Sequence, residues 1–317
     1  MGVGRMILDA VVFIEPPEAD LVEPMRLRRP DLRLLQHGEE MPDLSGLRYA
    51  VVTFDPGRAI SGYRDAAWVH CAGAGVDKVL FRLDFTPPVI TRTVGRMGFK
   101  IAEYVCAYVL FDHQKIETRR RVQERGVWDR QACRPANLHD TKAVIFGAGE
   151  IGSEIASRLG AFGVECVGVS RSGRAHPAFA DCIAFTDLKV LASWAGASIL
   201  VGCLPYAPGA AGLIGEETLS MFRDALLINV GRGETLDEPG LFRALDAGHV
   251  RHAVLDVFAK EPPPPDAPVW SDPRIFLTPH ISGLTDPAEV AHDFLDALDQ
   301  LERGETPRRL VRPEQGY

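Results

Sequence analysis

Cysteine is scarce in this 317-residue sequence, and its six copies are scattered without any C-x-x-C pair. The spacing therefore predicts neither a zinc site nor a disulfide framework, and a reducing cytoplasm fits it best. Long apolar runs are also missing, since none approaches the roughly 20 residues that a membrane helix needs. The apolar start at Met6–Ile14 is interrupted by Asp9 and ends at Glu15-Pro16-Pro17 without a small-residue cleavage site. We therefore expect a mature, soluble chain with no signal peptide and no membrane partner.

An excess of positive charge is absent as well. Lys and Arg number 35 against 43 Asp and Glu, which gives a formal net charge of -8. Nucleic-acid binding needs clustered positive charge to neutralise phosphates, so we expect no nucleic-acid partner. The hydrophobic content of 46% is that of an ordinary globular protein, and the length favours two domains with well-developed cores.

Short apolar runs separated by polar, Pro-containing stretches fill the chain from Met6 to Ile90. They predict the strands of a small α/β unit, at Met6–Ile14, Tyr49–Phe54, Trp68–Cys71 and Val89-Ile90. A helical pattern then begins near Gly98 and continues to about Gln123. Because no Pro or Gly interrupts it, this pattern predicts one long helix.

The rest of the chain alternates continuous apolar runs with helical patterns. Such runs indicate strands that are covered on both faces, as in a parallel sheet flanked by crossover helices. The predicted strands are Ala143–Phe146, Cys166–Val169, Ile199–Cys203, Leu226–Val230, Ala253–Val257 and Ile275–Leu277. The predicted helices are Ile151–Phe162, Glu216–Phe222, Glu238–Ala247 and Pro287–Arg303. This layout predicts a doubly wound α/β fold.

A G-x-G-x-x-G sequence follows the first of these strands directly and begins a helix. Gly147 permits a tight turn, Gly149 lets the backbone approach a pyrophosphate, and Gly152 lets helix and strand pack closely. The N–H groups at the start of the helix, including those of Glu150 and Ile151, are free to face phosphates. The strand-turn-helix context predicts a dinucleotide site, the alternative being a purely structural turn.

The next strand ends at Val169, where an Asp or Glu would bind the ribose 2′-OH of NADH. The chain instead continues as Ser170-Arg171-Ser172. Arg171 can pair with a 2′-phosphate that no acid repels, and Ser170 or Ser172 can donate a hydroxyl to it. The cofactor prediction is therefore NADPH in preference to NADH. The alternative is a solvated basic loop that is indifferent to the phosphate.

Three further segments carry a resemblance to a known family. They are Asn229–Gly233, Leu255–Pro262 and Thr278–Gly283, which in this order after the glycine-rich turn resemble the signature blocks of the D-2-hydroxyacid dehydrogenases. Within the family the chain is most similar to the glyoxylate/hydroxypyruvate reductase A group. That similarity depends on Ala72–Asp77, Ser170–Ser172 and the ending Gly316-Tyr317.

The resemblance implies a fold and an activity. The implied fold is a Rossmann dinucleotide-binding domain, residues 99–284, inserted into a smaller flavodoxin-like α/β substrate domain, residues 1–98 and 285–317. The implied activity is the NAD(P)H-dependent reduction of small 2-oxo acids, such as glyoxylate and hydroxypyruvate, to D-2-hydroxy acids. The family usually forms homodimers through its nucleotide-binding domains, so a homodimer is expected here.

The chemistry of a 2-oxo acid agrees with the residues in these blocks. Its carboxylate calls for a planar bidentate cation, which Arg232 can supply from its loop between two glycines. Hydride arriving at C2 leaves an alkoxide that must take a proton, and His280 is the natural acid near neutral pH. Glu261, bonded to His280, would stabilise the protonated imidazole and hold one tautomer. For Arg232 and Glu261 the alternative is a solvated loop residue.

Other residues are assigned by resemblance alone. Ala74 and Gly75 match a loop whose backbone N–H groups bind the substrate carboxylate. Asp256 matches a residue that faces the nicotinamide carboxamide. Leu204-Pro205 and Val230 match strand-end residues that contact the cofactor. Cys71 and Cys203 lie near the predicted site but have no neighbouring base in the sequence, so we interpret them as small core residues.

Two alternatives to a glyoxylate or hydroxypyruvate reductase stay open. One is another dehydrogenase of the same family, of the phosphoglycerate, formate or phosphite type. The phosphoglycerate type is disfavoured because no C-terminal regulatory domain follows Tyr317, although short forms exist. The other alternative is a nucleotide-sensing scaffold of the co-repressor type, which would bind partners without useful turnover.

Overall fold

The computed structural model describes residues 9, 11–15, 19–36, 47–53, 66–76, 79–80, 87, 89–206 and 209–313. Residues 6–8 and 10 of the first predicted strand, Phe54 of the second, Asp77 and the ending Gly316-Tyr317 lie outside the described residues. The chain divides into two compact units. The first comprises Met1–Met97 with Thr285–Tyr317, and the second comprises Gly98–Leu284. The assignment of substrate and cofactor to one unit each stays a prediction.

The first unit contains a parallel five-stranded sheet in the order β2-β1-β3-β4-β5, which is the flavodoxin-like order. Its strands are β1 (Val11–Glu15), β2 (Arg33–Gln36), β3 (Ala50–Thr53), β4 (Trp68–Cys71) and β5 (Val89–Arg92). Helices α1 (Ala19–Arg28) and α7 (Pro287–Glu302) belong to the same unit. The flavodoxin-like fold is thus confirmed, while β2 and α1 had no predicted counterpart. Strand β2 has only two apolar residues, and Pro24 interrupts the helical pattern of α1.

Helix α7 closes the core of the first unit. Its apolar side chains recur at helical spacing, and Val290, Phe294 and Leu298 are fully buried in a cluster with residues of the sheet. Phe294 stacks on Trp68 of β4 with ring centroids 4.4 Å apart. Below this pair the ring of His70 is wholly buried, and its two nitrogens bond to the hydroxyls of Thr91 (2.7 Å) and Thr93 (2.9 Å). Burial lowers the pKa of His70 to about 3.

The second unit contains a parallel seven-stranded sheet in the order β12-β11-β10-β9-β6-β7-β8. Counted within the unit, six of these strands follow the Rossmann order 3-2-1-4-5-6, and the strand order reverses between β6 and β9. The strands are β6 (Lys142–Phe146), β7 (Glu165–Ser170), β8 (Asp181–Ala184), β9 (Ile199–Gly202), β10 (Ala225–Asn229), β11 (Val250–Leu255) and β12 (Ile275–Leu277). The doubly wound prediction is confirmed, and only the short edge strand β8 had no predicted counterpart.

The prediction of one long helix after Gly98 is wrong. The structure has two helices, which are separated at Lys115, where the backbone turns left-handed with φ 50°. A left-handed residue ends a right-handed helix. The composition changes at the same place, because the first helix is apolar whereas the second buries no residue. The helices of the second unit are α2 (Met97–His113), α3 (Ile116–Glu124), α4 (Glu150–Gly160), α5 (Glu216–Leu219) and α6 (Glu238–Asp246).

Helix α2 is fixed at its end by a buried carboxylate. Asp112 accepts hydrogen bonds from Arg251 Nη2 (2.6 Å) and His252 Nδ1 (2.8 Å), both on β11. Although burial alone would raise the pKa of Asp112, these two partners lower it to about 2. Within the described residues, no helix combines the length and the apolar content required to cross a bilayer.

Candidate active site

The three predicted catalytic residues follow three neighbouring strands. Strands β10, β11 and β12 pair in parallel, so their carboxyl ends meet at one edge of the sheet. Arg232, Glu261 and His280 lie in the segments that leave this edge. Open parallel sheets bind ligands at this place.

Arg232 lies between two glycines that the packing requires. A Cβ on Gly231 would stand 2.6 Å from the carbonyl oxygen of Leu204. A Cβ on Gly233 would stand 1.9 Å from the carbonyl carbon of Phe258. The buried amide of Asn229 donates to the carbonyl oxygen of Arg232 and accepts from the N–H of Gly231, both over 3.3 Å. The guanidinium is half-buried, and its Nη1 donates to the carbonyl oxygen of Gly231 over 3.0 Å. The loop is therefore rigid on both sides of the cation.

His280 and Glu261 form a hydrogen-bonded pair. The Nδ1 atom of His280 is 2.9 Å from Oε2 and 3.1 Å from Oε1 of Glu261. An ionised carboxylate only accepts, so Nδ1 carries a proton and donates it. The N–H of Phe258 donates to Glu261 Oε1 over 3.1 Å and fixes the carboxylate. In the described part of the chain nothing hydrogen-bonds to Nε2, and 43% of the histidine side chain is exposed. Nε2 is therefore the ring atom that can reach a substrate.

Asp256 lies beneath this pair and is almost fully buried, with 1% exposure. Its Oδ1 accepts from the hydroxyl of Thr278 (2.6 Å) and the N–H of Ile281 (2.9 Å), and its Oδ2 accepts from the N–H of Ser282 (2.9 Å). Both oxygens are thus engaged with the segment that carries His280. The contact with a nicotinamide carboxamide that the resemblance implies for Asp256 stays a prediction.

The glycine-rich turn follows β6 at the point where the strand order reverses. Gly147 has φ 122°, a conformation that side chains disfavour. A Cβ on Gly152 would stand 1.7 Å from the carbonyl oxygen of Gly147, whereas a Cβ on Gly149 would meet no protein atom within 4 Å. Gly149 is exposed at the start of α4, and Glu150 and Ile151 form the first turn of that helix. The open space at Gly149 fits a pyrophosphate that approaches the backbone.

The end of β7 lies beside this turn, because the N–H of Gly147 donates to the carbonyl oxygen of Val169 over 2.7 Å. The hydroxyl of Ser170 accepts a hydrogen bond of 3.1 Å from the N–H of Gly173 in the same loop. Arg171 and Ser172 are exposed. The loop thus presents a cation and a hydroxyl, and no acid, next to the glycine-rich turn.

The other predicted cofactor contacts lie at the ends of β9 and β10. Leu204 and Val230 are buried, with 3% and 7% exposure, and Pro205 is exposed. The N–H of Val230 donates to the carbonyl oxygen of Gly202 over 2.8 Å. These residues therefore line the sheet edge between the glycine-rich turn and the Arg232 loop.

Ala74 and Gly75 belong to the first unit, in the turn that follows β4. The carbonyl oxygen of Ala74 accepts a hydrogen bond of 2.8 Å from Arg92 Nη1, and the backbone of Gly75 is exposed. Arg92, which had no predicted role, thus holds the conformation of this turn. The substrate contacts that the resemblance implies for Ala74 and Gly75 stay predictions.

The two cysteines near the predicted site are protonated thiols. Burial raises the pKa of Cys71 and of Cys203 to about 12. The Sγ of Cys203 donates to the carbonyl oxygen of Gly147 over 3.2 Å. These observations support their interpretation as structural residues.

Tyr104 is a residue of this region that the sequence did not reveal. Its hydroxyl lies 2.6 Å from Oγ1 of Thr278 although the two residues are 174 positions apart. Thr278 is the first residue of the third signature block, so its position near the site could be predicted from the sequence. Tyr104 had none, because it continues the helical pattern of α2 without any motif of its own.

Comparisons with known proteins agree with this geometry. Residues 106–282, more than half of the chain, match the family model "D-isomer specific 2-hydroxyacid dehydrogenase, NAD binding domain". An uncharacterized protein in the mprR 3′ region of Streptomyces coelicolor is 38% identical over 268 residues, which are 83% of this chain and 93% of that protein.

Two solved structures resemble the whole chain. A D-isomer specific 2-hydroxyacid dehydrogenase from Xanthobacter autotrophicus Py2, in complex with NADPH and MES, is 28% identical with a TM-score of 0.87, over 98% of this chain and 100% of that one. An NADPH-dependent glyoxylate/hydroxypyruvate reductase from Sinorhizobium meliloti is 24% identical with a TM-score of 0.86, over 97% and 99%, and at that identity it shows the fold alone. The family model and the 38% identical relative show more than the fold: the chain belongs to the D-isomer specific 2-hydroxyacid dehydrogenase family.

Proposed function

We propose that this protein is an NADPH-preferring reductase that converts small 2-oxo acids, glyoxylate and hydroxypyruvate, to 2-hydroxy acids of the D configuration. The observation that carries the proposal is the pair of His280 and Glu261 at the same sheet edge as the Arg232 loop. An acid for the oxygen at C2 and a cation for the neighbouring carboxylate are what the reduction of a 2-oxo acid requires.

Arg232, His280 and Glu261 have different roles in this reaction. Arg232 binds the substrate carboxylate and orients the ketone, with the backbone of Ala74 and Gly75 as further donors. The hydride for C2 would come from a nicotinamide cofactor held at the glycine-rich turn. His280 gives the Nε2 proton to the oxygen that becomes the hydroxyl, and Glu261 stabilises the imidazolium before that transfer and keeps the proton on Nδ1 throughout. Because the imidazole ends neutral, it takes a proton from solvent before the next turnover.

The preference for NADPH depends on the loop after β7. Arg171 pairs with the 2′-phosphate through charge-assisted hydrogen bonds, Ser170 and Ser172 can add hydroxyl donors, and no acid repels the phosphate there. The 28% identical Xanthobacter autotrophicus protein binds NADPH in its crystals. The remaining contacts of the cofactor are Gly147–Gly152, Leu204-Pro205, Val230 and Asp256.

The decisive experiment measures kcat and KM for glyoxylate and hydroxypyruvate with each cofactor. His280→Ala should lower kcat by roughly 100-fold or more, which is the usual contribution of a general acid. His139→Ala is the matched control, because the side chain of that histidine is 78% exposed and its Nε2 lies 3.4 Å from Oδ1 of the neighbouring Asp140. A screen in which only bulky 2-oxo acids turn over, or in which His280→Ala keeps its rate, would overturn the proposal. Partner binding without any turnover would favour a scaffold instead.

The cofactor preference has its own test. Arg171→Ala should lower kcat/KM for NADPH by roughly 10- to 150-fold, the range for a hydrogen bond to a charged group, and leave NADH nearly unaffected. Arg120→Ala is the control for the loss of one positive charge. Arg120 lies on α3, and its side chain is 79% exposed. A wild-type protein that uses NADH equally well, or a variant with an unchanged ratio, would contradict the preference.

We also propose that two copies associate through their nucleotide-binding units, in the cytoplasm. The support is the exposure of large apolar side chains on the second unit, among them Trp128 at 92% and Phe99 at 51%. The free thiols of all six cysteines agree with a reducing compartment. Light scattering should give the mass of a dimer, and Trp128→Glu should give that of a monomer. A monomeric wild-type protein would refute the dimer.

A further inference from the structure

The segment that carries His280 is held by one buried carboxylate on both sides of the histidine. On the N-terminal side of His280, the Asp256 carboxylate accepts a hydrogen bond from the hydroxyl of Thr278. On the C-terminal side it accepts hydrogen bonds from the N–H groups of Ile281 and Ser282. The N–H of His280 itself donates to the backbone carbonyl oxygen of Asp256 over 2.9 Å. The charged carboxylate makes its three bonds stronger than bonds between neutral groups.

Such support is needed because His280 has a strained backbone. Its φ is 55°, in the left-handed region that costs a residue with a Cβ about 1–2 kcal/mol. Strained residues persist where the surrounding structure over-determines them. The side chain of His280 is 43% exposed, so its direction depends on the hydrogen bond to Glu261 and on the backbone that Asp256 holds.

The hydrogen bonds continue from Asp256 to helix α2. A threonine hydroxyl has one proton, and that of Thr278 is donated to Asp256 Oδ1. Thr278 Oγ1 can therefore only accept from Tyr104, whose hydroxyl is 2.6 Å away. Burial raises the pKa of Tyr104 above its ordinary value, so the phenol keeps the proton that this bond requires. The direction of donation thus runs from Tyr104 through Thr278 to Asp256.

We propose that Tyr104 and Thr278 are positioning residues for His280, which act in series by holding the Asp256 carboxylate and, through it, the left-handed turn of the histidine. The inference rests on the proposed role of His280 as the proton donor. Tyr104 and Thr278 do not touch the reacting atoms in this scheme. Their removal lets the imidazole rotate away from the orientation that proton transfer needs, while the fold and most contacts assigned to the cofactor are kept.

Kinetics provide the first test. Tyr104→Phe removes one hydrogen bond between neutral groups and should lower kcat for the best 2-oxo acid by about three- to tenfold. Thr278→Val also removes the bond to the Asp256 carboxylate and should lower kcat by at least as much. The solvent deuterium isotope effect on kcat should rise because proton transfer becomes slower. KM for NADPH should change less than kcat, because most residues assigned to the cofactor lie outside this series of bonds. Both variants are assayed well below their thermal midpoints, which the loss of a buried hydrogen bond lowers. Thr278→Ser, which keeps the hydroxyl, should recover most of the rate that Thr278→Val loses.

A double variant tests the series arrangement. If Tyr104 acts only through Thr278, the variant with both changes should be no slower than Thr278→Val alone. If the losses in kcat of the two single variants multiply in the double variant, the proposal is overturned. A fall in kcat with an unchanged isotope effect would also overturn it, because a purely structural loss of active protein has that signature.

The third test does not need turnover. Ring 15N signals of the nine histidines can be recorded, and the signal of His280 can be assigned by its loss in His280→Gln. In Tyr104→Phe the His280 signals should shift or broaden while those of the buried His70 stay in place. This result without turnover of any 2-oxo acid would support the positioning role and refute the proposed function. Unchanged ring signals would refute the positioning role even in an active enzyme.

Discussion

Replacing Gly149 and Gly152 by alanine, one at a time, separates the two tasks of the glycine-rich turn. A Cβ on Gly149 would meet no protein atom within 4 Å, but a Cβ on Gly152 would stand 1.7 Å from the carbonyl oxygen of Gly147. The same methyl group is therefore added once to open space and once to a packed contact. We expect the first variant to lose cofactor affinity and the second to lose stability.

The magnitudes follow from the local geometry. Gly149 has φ -90° and ψ -161°, which alanine adopts without strain. Restricting the unfolded chain stabilises this variant by about 0.4–1 kcal/mol, and a poorer helix cap costs about as much, so its free energy of unfolding should hardly change. At Gly152 the turn must open, at a cost of about 3 kcal/mol for overpacking, of which the higher helix propensity of alanine offsets about 1 kcal/mol. The net loss is about 2 kcal/mol.

Two measurements check this pair. Urea unfolding gives the free energies of unfolding, and titration with NADPH gives the dissociation constants. If the pyrophosphate approaches Gly149, the added methyl should weaken NADPH binding by about tenfold or more, which is about 1.4 kcal/mol. Wild-type affinity in Gly149→Ala would show that the open space does not receive the cofactor. Wild-type stability in Gly152→Ala would show that the turn yields more easily than its packing indicates.

The remaining predictions concern buried charges and the substrate cation. Burial lowers the pKa of His70 to about 3, whereas the pKa of this histidine in the unfolded chain is about 6.5. The unfolded state therefore binds the proton first as the pH falls. The free energy of unfolding should decrease by roughly 2.5 kcal/mol from pH 7 to 4.5. Ring NMR signals of His70 that titrate near pH 6.5 would refute this. Burial raises the pKa of Asp112, but His252 and Arg251 lower it more, to about 2, so its stabilisation is present above pH 4 and is lost as pH falls through 2. Asp112→Asn should cost roughly 2 kcal/mol at pH 7, and an unchanged urea midpoint would contradict that. Arg232→Lys keeps the charge but loses bidentate geometry, so kcat/KM for the 2-oxo acid should fall by about tenfold or more with unchanged NADPH affinity; equal kinetics would exclude Arg232 as the carboxylate partner.

Most of the sheet of the second unit could be predicted because its strands are buried on both faces. A strand such as Leu226–Ile228 is apolar at every position, and several such runs separated by helical patterns indicate a parallel sheet covered on both faces. Strand β8 had no such signal, since it is an edge strand with one fully buried residue. The break at Lys115 was missed for a different reason. A left-handed lysine has no propensity signal, and its N–H bonds to the backbone carbonyl oxygen of Asp112, which tertiary contacts hold at the end of α2.

The candidate site was predictable as far as its residues lie in short motifs. Arg232 is flanked by glycines, and the packing of both glycines on neighbouring backbone explains why they are there. His280 and Glu261 follow strands, so their approach follows from the parallel sheet. The bonds of Asp256 and Tyr104 were not predictable, because they join segments that are distant in sequence and depend on side-chain directions.

The division between exposed and buried parts of the site has a physical reason. A proton donor has to reach a substrate, so His280 cannot be packed as His70 is, and its side chain is 43% exposed while the ring of His70 is wholly buried. Packing alone therefore fixes the direction of the reactive ring less firmly than that of His70. The hydrogen bond to Glu261 holds the ring, and the buried carboxylate of Asp256 holds the backbone beneath it, where water does not compete for the hydrogen bonds. Changes to this buried support should accordingly alter how often His280 is correctly oriented and leave the chemistry of its imidazole unchanged.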